Sequence, residues 1–232
     1  MSPPAMIASP YQPLSGHRIG ERRLCLPVAA RTVGVVAPHP DDETLAAGGL
    51  ISDLTRWGWR VTIVVVTDGA ASHPHVRDLS LIREVECRRA TQALGVSEPP
   101  KFLRFPDGEA QSNVREIAAA LHQVLARVDL VVAPRPDDGH SDHDATAHAL
   151  QRAFCHAGPP RLQYAIWGWE HLDAVQLNID AAVIFRPSAK ARRAKKHALR
   201  HYQSQTTARY GRTIVGEEVL MRHSSAKEVF WW

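Results

Sequence analysis

The stretch Val35–Ala47, VVAPHPDDETLAA, organises the rest of the chain. It continues an apolar run that begins at Thr32, and such a run is typical of a strand buried on both faces. The strand is predicted to stop at Pro38. The residues that follow and can bind a metal or a proton are His39, Asp41, Asp42 and Glu43. Apolar residues then recur at helical spacing, so strand, polar turn and helix form the unit that presents a site in an open α/β sheet.

Helix capping is an alternative explanation of this cluster. An Asp or Thr ahead of a helix accepts hydrogen bonds from the free N–H groups of the first turn, so Asp41, Asp42 or Thr44 could serve only as caps. A cap needs one such residue, however, and gives no reason for His39, three positions before Asp42. Taken alone, the cluster leaves a capped turn and a functional site equally open.

A second polar loop favours the site. It follows the apolar run Leu130–Ala133 and reads PRPDDGHSDHD over Pro134–Asp144. In a parallel sheet both loops open at the same edge. One imidazole and one carboxylate from the first loop and one imidazole from the second make a three-ligand set. Such a set leaves one coordination position free, as in catalytic zinc sites.

The two motifs together resemble those of the LmbE-like N-acetylglucosamine deacetylases, which include PIG-L and the deacetylases of mycothiol and bacillithiol synthesis. HPDDE follows an apolar strand, HxDH comes later, and the likeness extends from about Arg31 to Tyr210. The resemblance implies a general base at Asp41 and a transition-state imidazole at His140. The zinc ligands that it implies are His39, Asp42 and His143.

The chemistry implied is hydrolysis of an amide. Zinc lowers the pKa of bound water to about 7, and Asp41 would take its proton and later deliver it to the leaving amine. The metal and a protonated His140 would stabilise the oxyanion. Asp142 would orient one imidazole through its second nitrogen. Glu43 fits either the outer shell of the site or the start of the helix.

The helix predicted over Leu79–Leu94 carries a further candidate, Arg83. The apolar pattern turns Leu81 and Val85 inward. It leaves Arg83, Glu84 and Glu86 as a solvated face, whereas the family likeness places Arg83 near the site.

Four other side chains have two readings each. Asp107 is either a turn former or a group that binds a sugar hydroxyl, and the second is favoured. Trp167 either closes the core or stacks on a sugar face. His73 and His75 are expected to face solvent or to line the mouth of the pocket.

Strands alternating with helices predict an α/β fold, a Rossmann-like three-layer sandwich with a mostly parallel sheet. A hairpin-like pair, Val175–Ile179 with Ala182–Phe185, would form a small C-terminal β addition. A length of 232 residues with 44% hydrophobic content predicts one domain over 28–232, preceded by a loose arm over 1–27. No GxGxxG follows a strand, so a dinucleotide is not implied.

Three features of the sequence bear on location and assembly: the first 27 residues, the cysteines and the apolar end of the chain. No run within 1–27 is long and apolar enough for a signal h-region or a membrane span, so we expect a cytoplasmic protein. The widely spaced Cys25, Cys87 and Cys155 read as free thiols. The apolar end Val229–Trp232 is expected to pack on the body or on another subunit, which would give a homo-oligomer.

Positive charge is concentrated near the end of the chain. Nine of the 28 basic residues lie from Arg186 to Arg212, within a segment free of acidic residues between Asp180 and Glu217. A solvated helix face is the favoured explanation. The more specific explanation is that the basic residues bind a phosphate-bearing substrate or an anionic membrane surface. Nucleic acid is not expected, because no aromatic platform accompanies the basic residues.

The sequence thus predicts a zinc-dependent hydrolase that removes an N-acetyl or other N-acyl group from an N-acetylglucosamine-type conjugate. Fe²⁺ is the alternative metal. Two other functions remain open: a non-catalytic α/β sugar- or nucleotide-binding module, and a metal-dependent amidase acting on a non-sugar amide. Stoichiometric metal excludes the module, and a substrate screen separates the two hydrolases.

Overall fold

The computed structural model describes residues 22–232. Its centre is a sheet of five parallel strands in the spatial order β3-β2-β1-β4-β5. In chain order the strands are β1 (Thr32–Ala37), β2 (Arg60–Thr67), β3 (Lys101–Phe105), β4 (Leu130–Pro134) and β5 (Arg161–Tyr164). The mostly parallel sheet predicted from the sequence is confirmed. Because β1 and β4 are neighbours, the loops that follow them open side by side.

Helices connect these strands and extend the chain beyond them. They are α1 (Asp42–Arg56), α2 (Leu79–Ala93), α3 (Val114–Leu125), α4 (Ser141–Ala153), α5 (Gly168–His171), α6 (Ala189–Leu199), α7 (Gln203–Thr206) and α8 (Glu217–His223). Helix α4 begins at Ser141, so His143 lies in its first turn.

Both faces of the sheet are buried, as a three-layer sandwich requires. Side chains alternate along a strand. Val35 of β1 therefore packs into a core shared with α1, α2 and α6, whereas Val36 packs into a second core shared with α3 and α4. The Rossmann-like fold predicted from the sequence is confirmed.

A buried polar contact fixes α1, the helix that starts in the first motif. Lys195 of α6 donates hydrogen bonds to the Leu45 carbonyl oxygen (2.7 Å) and to Glu228 Oε1 (2.6 Å). Glu228 also accepts the N–H groups of Gly49 (2.7 Å) and Leu50 (2.8 Å). The end of the chain and α6 therefore hold α1 from outside the sheet.

The small C-terminal β addition is present, but its predicted pairing is wrong. Val183–Phe185 (β6) pairs antiparallel with Glu228–Phe230 (β7) near the end of the chain. The segment 175–179 forms turns instead of a strand, because Asp173 Oδ1 accepts the N–H groups of Val175 (2.9 Å) and Gln176 (2.8 Å).

The predicted orientation of α2 is also wrong. Leu81 and Val85, expected inside, are 58% and 45% exposed. The buried face instead carries Arg83, Glu84 and Glu86, which were expected to be solvated.

Partners from other segments explain how α2 can bury charge. The Arg104 guanidinium donates to both carboxylate oxygens of Glu84 (2.6 and 3.1 Å). Glu86 accepts the backbone N–H (2.9 Å) and the hydroxyl (2.6 Å) of Ser204. Hydrogen bonds of this kind offset the cost of taking a carboxylate out of water.

The chain end packs on the body, as expected. Phe230 and Trp231 are buried, and Trp231 exchanges backbone hydrogen bonds with Gln163 of β5 (2.6 and 2.9 Å).

Cys25, Cys87 and Cys155 are free thiols. Over residues 22–232, no helix combines the length and the apolar character that crossing a bilayer requires.

Most of the predicted arm, residues 1–21, lies outside the described residues. Its end contacts β6: the Leu24 N–H donates to the Ile184 carbonyl oxygen (2.9 Å), and the Ile184 N–H donates to that of Arg22 (2.7 Å). The division into an arm (1–27) and one domain (28–232) stays a prediction.

Substitution of Lys195 by Met tests the contact that fixes α1. The change leaves the Glu228 carboxylate buried without its cation, so we expect the free energy of unfolding in urea to fall by about 3 kcal/mol. Lys196→Met, at an exposed neighbouring position, is the matched control and should change stability by less than about 0.5 kcal/mol. Equal stability of the two variants would contradict the role given to this contact.

Candidate metal centre

The two motif loops meet at the carboxyl edge of β1 and β4. His39, Asp42 and His143 are buried, and each offers one ligand atom within 4.8 Å of those of the others. His39 Nδ1 lies 3.1 Å and His143 Nε2 lies 3.2 Å from Asp42 Oδ2. The sequence-predicted ligands are thus brought together around a single carboxylate oxygen.

The second nitrogen of His143 fixes the tautomer of this ring. Its Nδ1 lies 2.6 Å from Asp138 Oδ2, so Nδ1 carries the proton. Among the described residues, the buried Nε2 has no hydrogen-bond partner. A buried ring nitrogen that faces Asp42 Oδ2 at 3.2 Å fits a metal ligand, with the cation taking the place of the ring proton, and the carboxylate behind the ring is the usual support of such a ligand.

Asp138 is in turn fixed by the loop after β5. Its Oδ1 accepts the N–H groups of Ile166 (2.9 Å) and Gly168 (2.9 Å), and the side chain is fully buried. Sequence reasoning missed this residue. The available signal was a carboxylate five residues before His143. The sequence did not distinguish Asp138 from the adjacent Asp137, which has the same side chain.

His39 is oriented by two carboxylates. Its Nε2 lies 3.1 Å from Asp142 Oδ2 and 3.2 Å from Asp107 Oδ1, which leaves Nδ1 facing Asp42. Asp142 therefore orients the imidazole of the other loop. Asp107 was favoured from the sequence as a sugar ligand. In the structure its Oδ1 contacts His39, and its Oδ2 accepts the Ala71 N–H (2.9 Å).

A second group of potential ligands shares His39. His140 and Asp142 also offer atoms within 4.8 Å of it. Asp142, however, already accepts the N–H groups of Gly108 (2.8 Å) and Ala110 (3.1 Å). The group with the unpartnered nitrogen, formed by His39, Asp42 and His143, is therefore the better cation site.

The charge around the two imidazoles is strongly negative. Burial lowers the pKa of His143, but the Asp42 and Asp138 carboxylates outweigh burial and raise that pKa to about 9. For His39, burial is likewise outweighed by Asp107, Asp142 and Asp42, and its pKa lies well above the usual value. An environment that favours positive charge to this degree also favours a divalent cation.

Asp41 lies beside the ligands without belonging to their set. Burial raises the pKa of its carboxyl to about 7, although the Arg83 guanidinium acts in the opposite direction. Arg83 Nη2 donates to Asp41 Oδ1 at 3.1 Å. A carboxyl that titrates near neutral pH can both accept and return a proton.

Arg83 is placed by the loop that follows β2. Its Nη1 donates to the Gly69 carbonyl oxygen (2.9 Å). Gly69 has φ +67, and a Cβ there would lie 2.5 Å from Nη1. Only glycine lets the guanidinium pass at this distance. The approach of Arg83 to Asp41 thus explains the glycine at position 69.

His140 differs from the protonated imidazole expected from the sequence. Burial, together with His39 and His143, lowers its pKa to about 4, which favours the neutral ring at pH 7, and the catalytic role of His140 stays a prediction. As N-cap of α4 its Nδ1 accepts the Asp142 N–H (3.2 Å), which places the remaining ring proton on Nε2. The neutral ring is still a donor. It stacks against Trp167, with ring centroids 6.2 Å apart.

Glu43 is hydrogen-bonded to side chains outside the proposed ligand set. It lies in the first turn of α1, fully buried, and accepts hydrogen bonds from Tyr202 Oη and from Thr44 Oγ1 (2.7 Å). Burial raises the pKa of its carboxyl. Of its two predicted places, the helix start is the one observed.

His73 and His75, in the loop after β2, connect that loop to the segment 210–212. His73 was expected to be exposed or at a pocket mouth, but it is buried, with Nε2 2.9 Å from the Arg212 carbonyl oxygen. His75 is exposed, and its Nε2 lies 3.0 Å from the Tyr210 carbonyl oxygen. Both imidazoles have structural partners, so neither is a spare metal ligand.

Comparison with known proteins places this geometry in a family. Residues 34–154 match the family described as PIG-L: GlcNAc-PI de-N-acetylase. A 1D-myo-inositol 2-acetamido-2-deoxy-alpha-D-glucopyranoside deacetylase of Mycolicibacterium gilvum (strain PYR-GCK) is 27% identical over 77% of this chain and 82% of its own length. A Bacillus cereus protein named "Probable N-acetyl-alpha-D-glucosaminyl L-malate deacetylase 2" is 32% identical over 53% of this chain. The chain spans 60% of that relative's length.

A solved structure shows the same fold. The crystal structure of the A40926 pseudoaglycone deacetylase Dbv21 superimposes with a TM-score of 0.70. It is 22% identical and covers 87% of this chain and 96% of its own. Because the family match spans just over half of the residues, the chain belongs to the PIG-L (GlcNAc-PI de-N-acetylase) family.

Proposed function

We propose that the chain is a zinc-dependent N-deacetylase acting on an N-acetylglucosamine-type amino-sugar conjugate. The observation that carries the proposal is the convergence of two imidazole nitrogens on one buried carboxylate oxygen, with His143 Nε2 lacking any other partner. Support comes from the family and from relatives named as deacetylases of glucosaminyl conjugates.

The residues that would hold the metal are His39, Asp42 and His143. When bound, zinc acts as a Lewis acid toward the amide carbonyl and lowers the pKa of water to about 7. Asp107, Asp138 and Asp142 keep the two rings oriented from behind. Three protein ligands suit a catalytic site, since a closed structural site uses four.

Asp41 is the proton carrier in this proposal. Arg83 holds its Oδ1, so Oδ2 is free to accept the proton of the attacking water. With a pKa raised to about 7, the same carboxyl can deliver that proton to the leaving amine nitrogen. The C–N bond then breaks, and acetate and the free amino sugar are released.

His140 and Trp167 form the other wall of the site. The neutral His140 ring carries its proton on Nε2, so it can donate to the carbonyl oxygen as negative charge develops there. Trp167 is half-buried and stacks on this ring, which places an aromatic surface beside the reacting amide. An aromatic wall of this kind suits a sugar ring.

The roles of ligand and base can be separated by mutation. His143→Ala removes a ligand atom, so both zinc content and acetate release from N-acetylglucosaminyl conjugates should be lost. Asp41→Asn should retain zinc and lose at least about a hundredfold in kcat. His148→Ala, an exposed histidine of α4, is the matched control and should change neither. Metal analysis and an acetate assay are the measurements.

The same two measurements, made on the unmodified chain, separate the proposed function from its alternatives. A non-catalytic binding module predicts no stoichiometric metal in the unmodified chain. An amidase acting on non-sugar amides predicts metal, but no acetate from any glucosaminyl conjugate. Full activity of both His143→Ala and Asp41→Asn would overturn the assigned roles.

Asp138 is proposed as a positioning residue for His143. Asp138→Asn replaces the proton acceptor of His143 Nδ1, so zinc affinity should fall by about 10- to 100-fold in chelator competition. Asp137→Asn is the matched control, because Asp137 is exposed and its φ of +70 suits Asn. Equal affinities of the two variants would remove Asp138 from the site.

Arg83 gives a prediction for pH dependence. Its guanidinium lowers the pKa of Asp41, so Arg83→Gln should raise that pKa and leave less ionised base at pH 7. The acid limb of the kcat/KM profile should therefore move to higher pH, by about one unit or more. Arg83→Lys keeps the positive charge and should move the limb less. An unshifted limb in Arg83→Gln would contradict the assignment of Asp41 as base.

A further inference from the structure

The helical layer formed by α1, α2 and α6 exposes charge of one sign only. Its acidic residues are all buried, at 8% exposure or less: Asp42, Glu43, Asp53, Glu84 and Glu86. Its exposed charged residues are all basic: Arg56, Arg88, Arg89, Lys190, Arg193 and Lys196. Arg200, exposed directly after α6, extends the row. The exposed charge within these three helices is therefore cationic, whereas the exposed Asp78 precedes α2 and α8, which packs against α1, exposes Glu217 and Glu218.

The exposed cations on one side of α6 are also unpaired. None of Lys190, Arg193, Lys196 and Arg200 takes part in an ion pair within residues 22–232. Successive members lie three or four residues apart, so they share one side of the helix. The opposite layer carries both signs, as with the exposed Arg115 and Glu116 of α3. The charge separation is thus specific to one face.

Two apolar side chains are exposed among these cations. Leu81 and Val85 lie one turn apart on α2, and Arg88 and Arg89 occupy its next turn. Because α6 packs against α2, their exposed faces lie side by side. Aliphatic side chains set in a basic surface match a bilayer with anionic headgroups. Cations meet the phosphates there, and apolar groups enter the acyl boundary.

Nucleic acid fits this surface less well. Single strands bind where bases stack on aromatic side chains, and neither α2 nor α6 contains Phe, Tyr or Trp. A duplex presents phosphates on its outside and contacts apolar side chains only within its grooves, whereas Leu81 and Val85 lie on a helix surface among the cations. The combination of charge and aliphatic exposure therefore favours lipid.

We propose that the α2–α6 face, defined as Leu81, Val85, Arg88, Arg89, Arg193, Lys196 and Arg200, docks on the anionic lipid headgroups of a bilayer. The proposal stands apart from the deacetylase activity, because none of these residues belongs to the candidate metal centre.

Vesicle co-sedimentation tests the electrostatic part. The full chain should bind phosphatidylcholine vesicles that contain phosphatidylglycerol, bind pure phosphatidylcholine poorly, and dissociate as salt rises. Combining Arg193→Gln, Lys196→Gln and Arg200→Gln should weaken binding about a hundredfold, at about fivefold per charge. The matched control combines Arg115→Gln, Arg127→Gln and Arg152→Gln. It removes the same charge from exposed positions on the other side and should bind like the unmodified chain.

A charge-neutral variant tests the apolar part. Leu81→Ser with Val85→Ser should weaken vesicle binding at least about tenfold while leaving heparin binding unchanged. Every substituted position is exposed, and circular dichroism verifies that each variant is folded. The proposal is overturned if the two triple variants bind vesicles equally. It is also overturned if the unmodified chain binds duplex DNA but no vesicles, or binds neither.

Discussion

Buried negative charge at the edge of two neighbouring strands is the constraint on which the structure depends. The carboxylates that contact the two central imidazoles are those of Asp42, Asp107, Asp138 and Asp142. Carboxylates lose their hydration on burial and are costly unless cations or hydrogen-bond donors replace the water. Imidazole and backbone N–H groups supply part of that compensation. His39, Asp42 and His143 mark where the rest would come from, because the metal proposed for this site would supply it.

The rest of the fold holds these groups in their positions. Placing β4 beside β1 brings the two motif loops together, and the contact of Lys195 with Glu228 holds α1 in place. The loops are also tied to one another. Asp68 Oδ1 accepts the Asp107 N–H (3.2 Å), and Arg83 bridges Gly69 and Asp41. Orientation of each side chain at the centre is therefore set by at least one further segment of the chain.

The parts of this arrangement that depend on local sequence could be predicted. β1 and β2 are continuous apolar runs because both of their faces are buried, and the predicted bounds of β1 match those observed. His39 and Asp42 could be proposed as ligands because residue type and spacing at a strand end restrict the chemistry.

Features that depend on distant partners could not be predicted. The burial of Glu84 and Glu86 requires Arg104 and Ser204, which no periodicity in α2 reveals. Pairing of β6 with β7 joins segments far apart in the chain. The neutral state of His140 follows from its neighbours in space, and no feature of its sequence position indicates it.

The central claim is that two imidazoles and one carboxylate hold a catalytic metal. X-ray absorption spectroscopy of the zinc-loaded chain tests it most directly. The account predicts one zinc per chain with nitrogen and oxygen neighbours only, at about 2.0–2.1 Å, two of them showing the multiple scattering of imidazole. A zinc bound through sulfur, a spectrum without imidazole scattering, or a chain that retains no stoichiometric metal would contradict it.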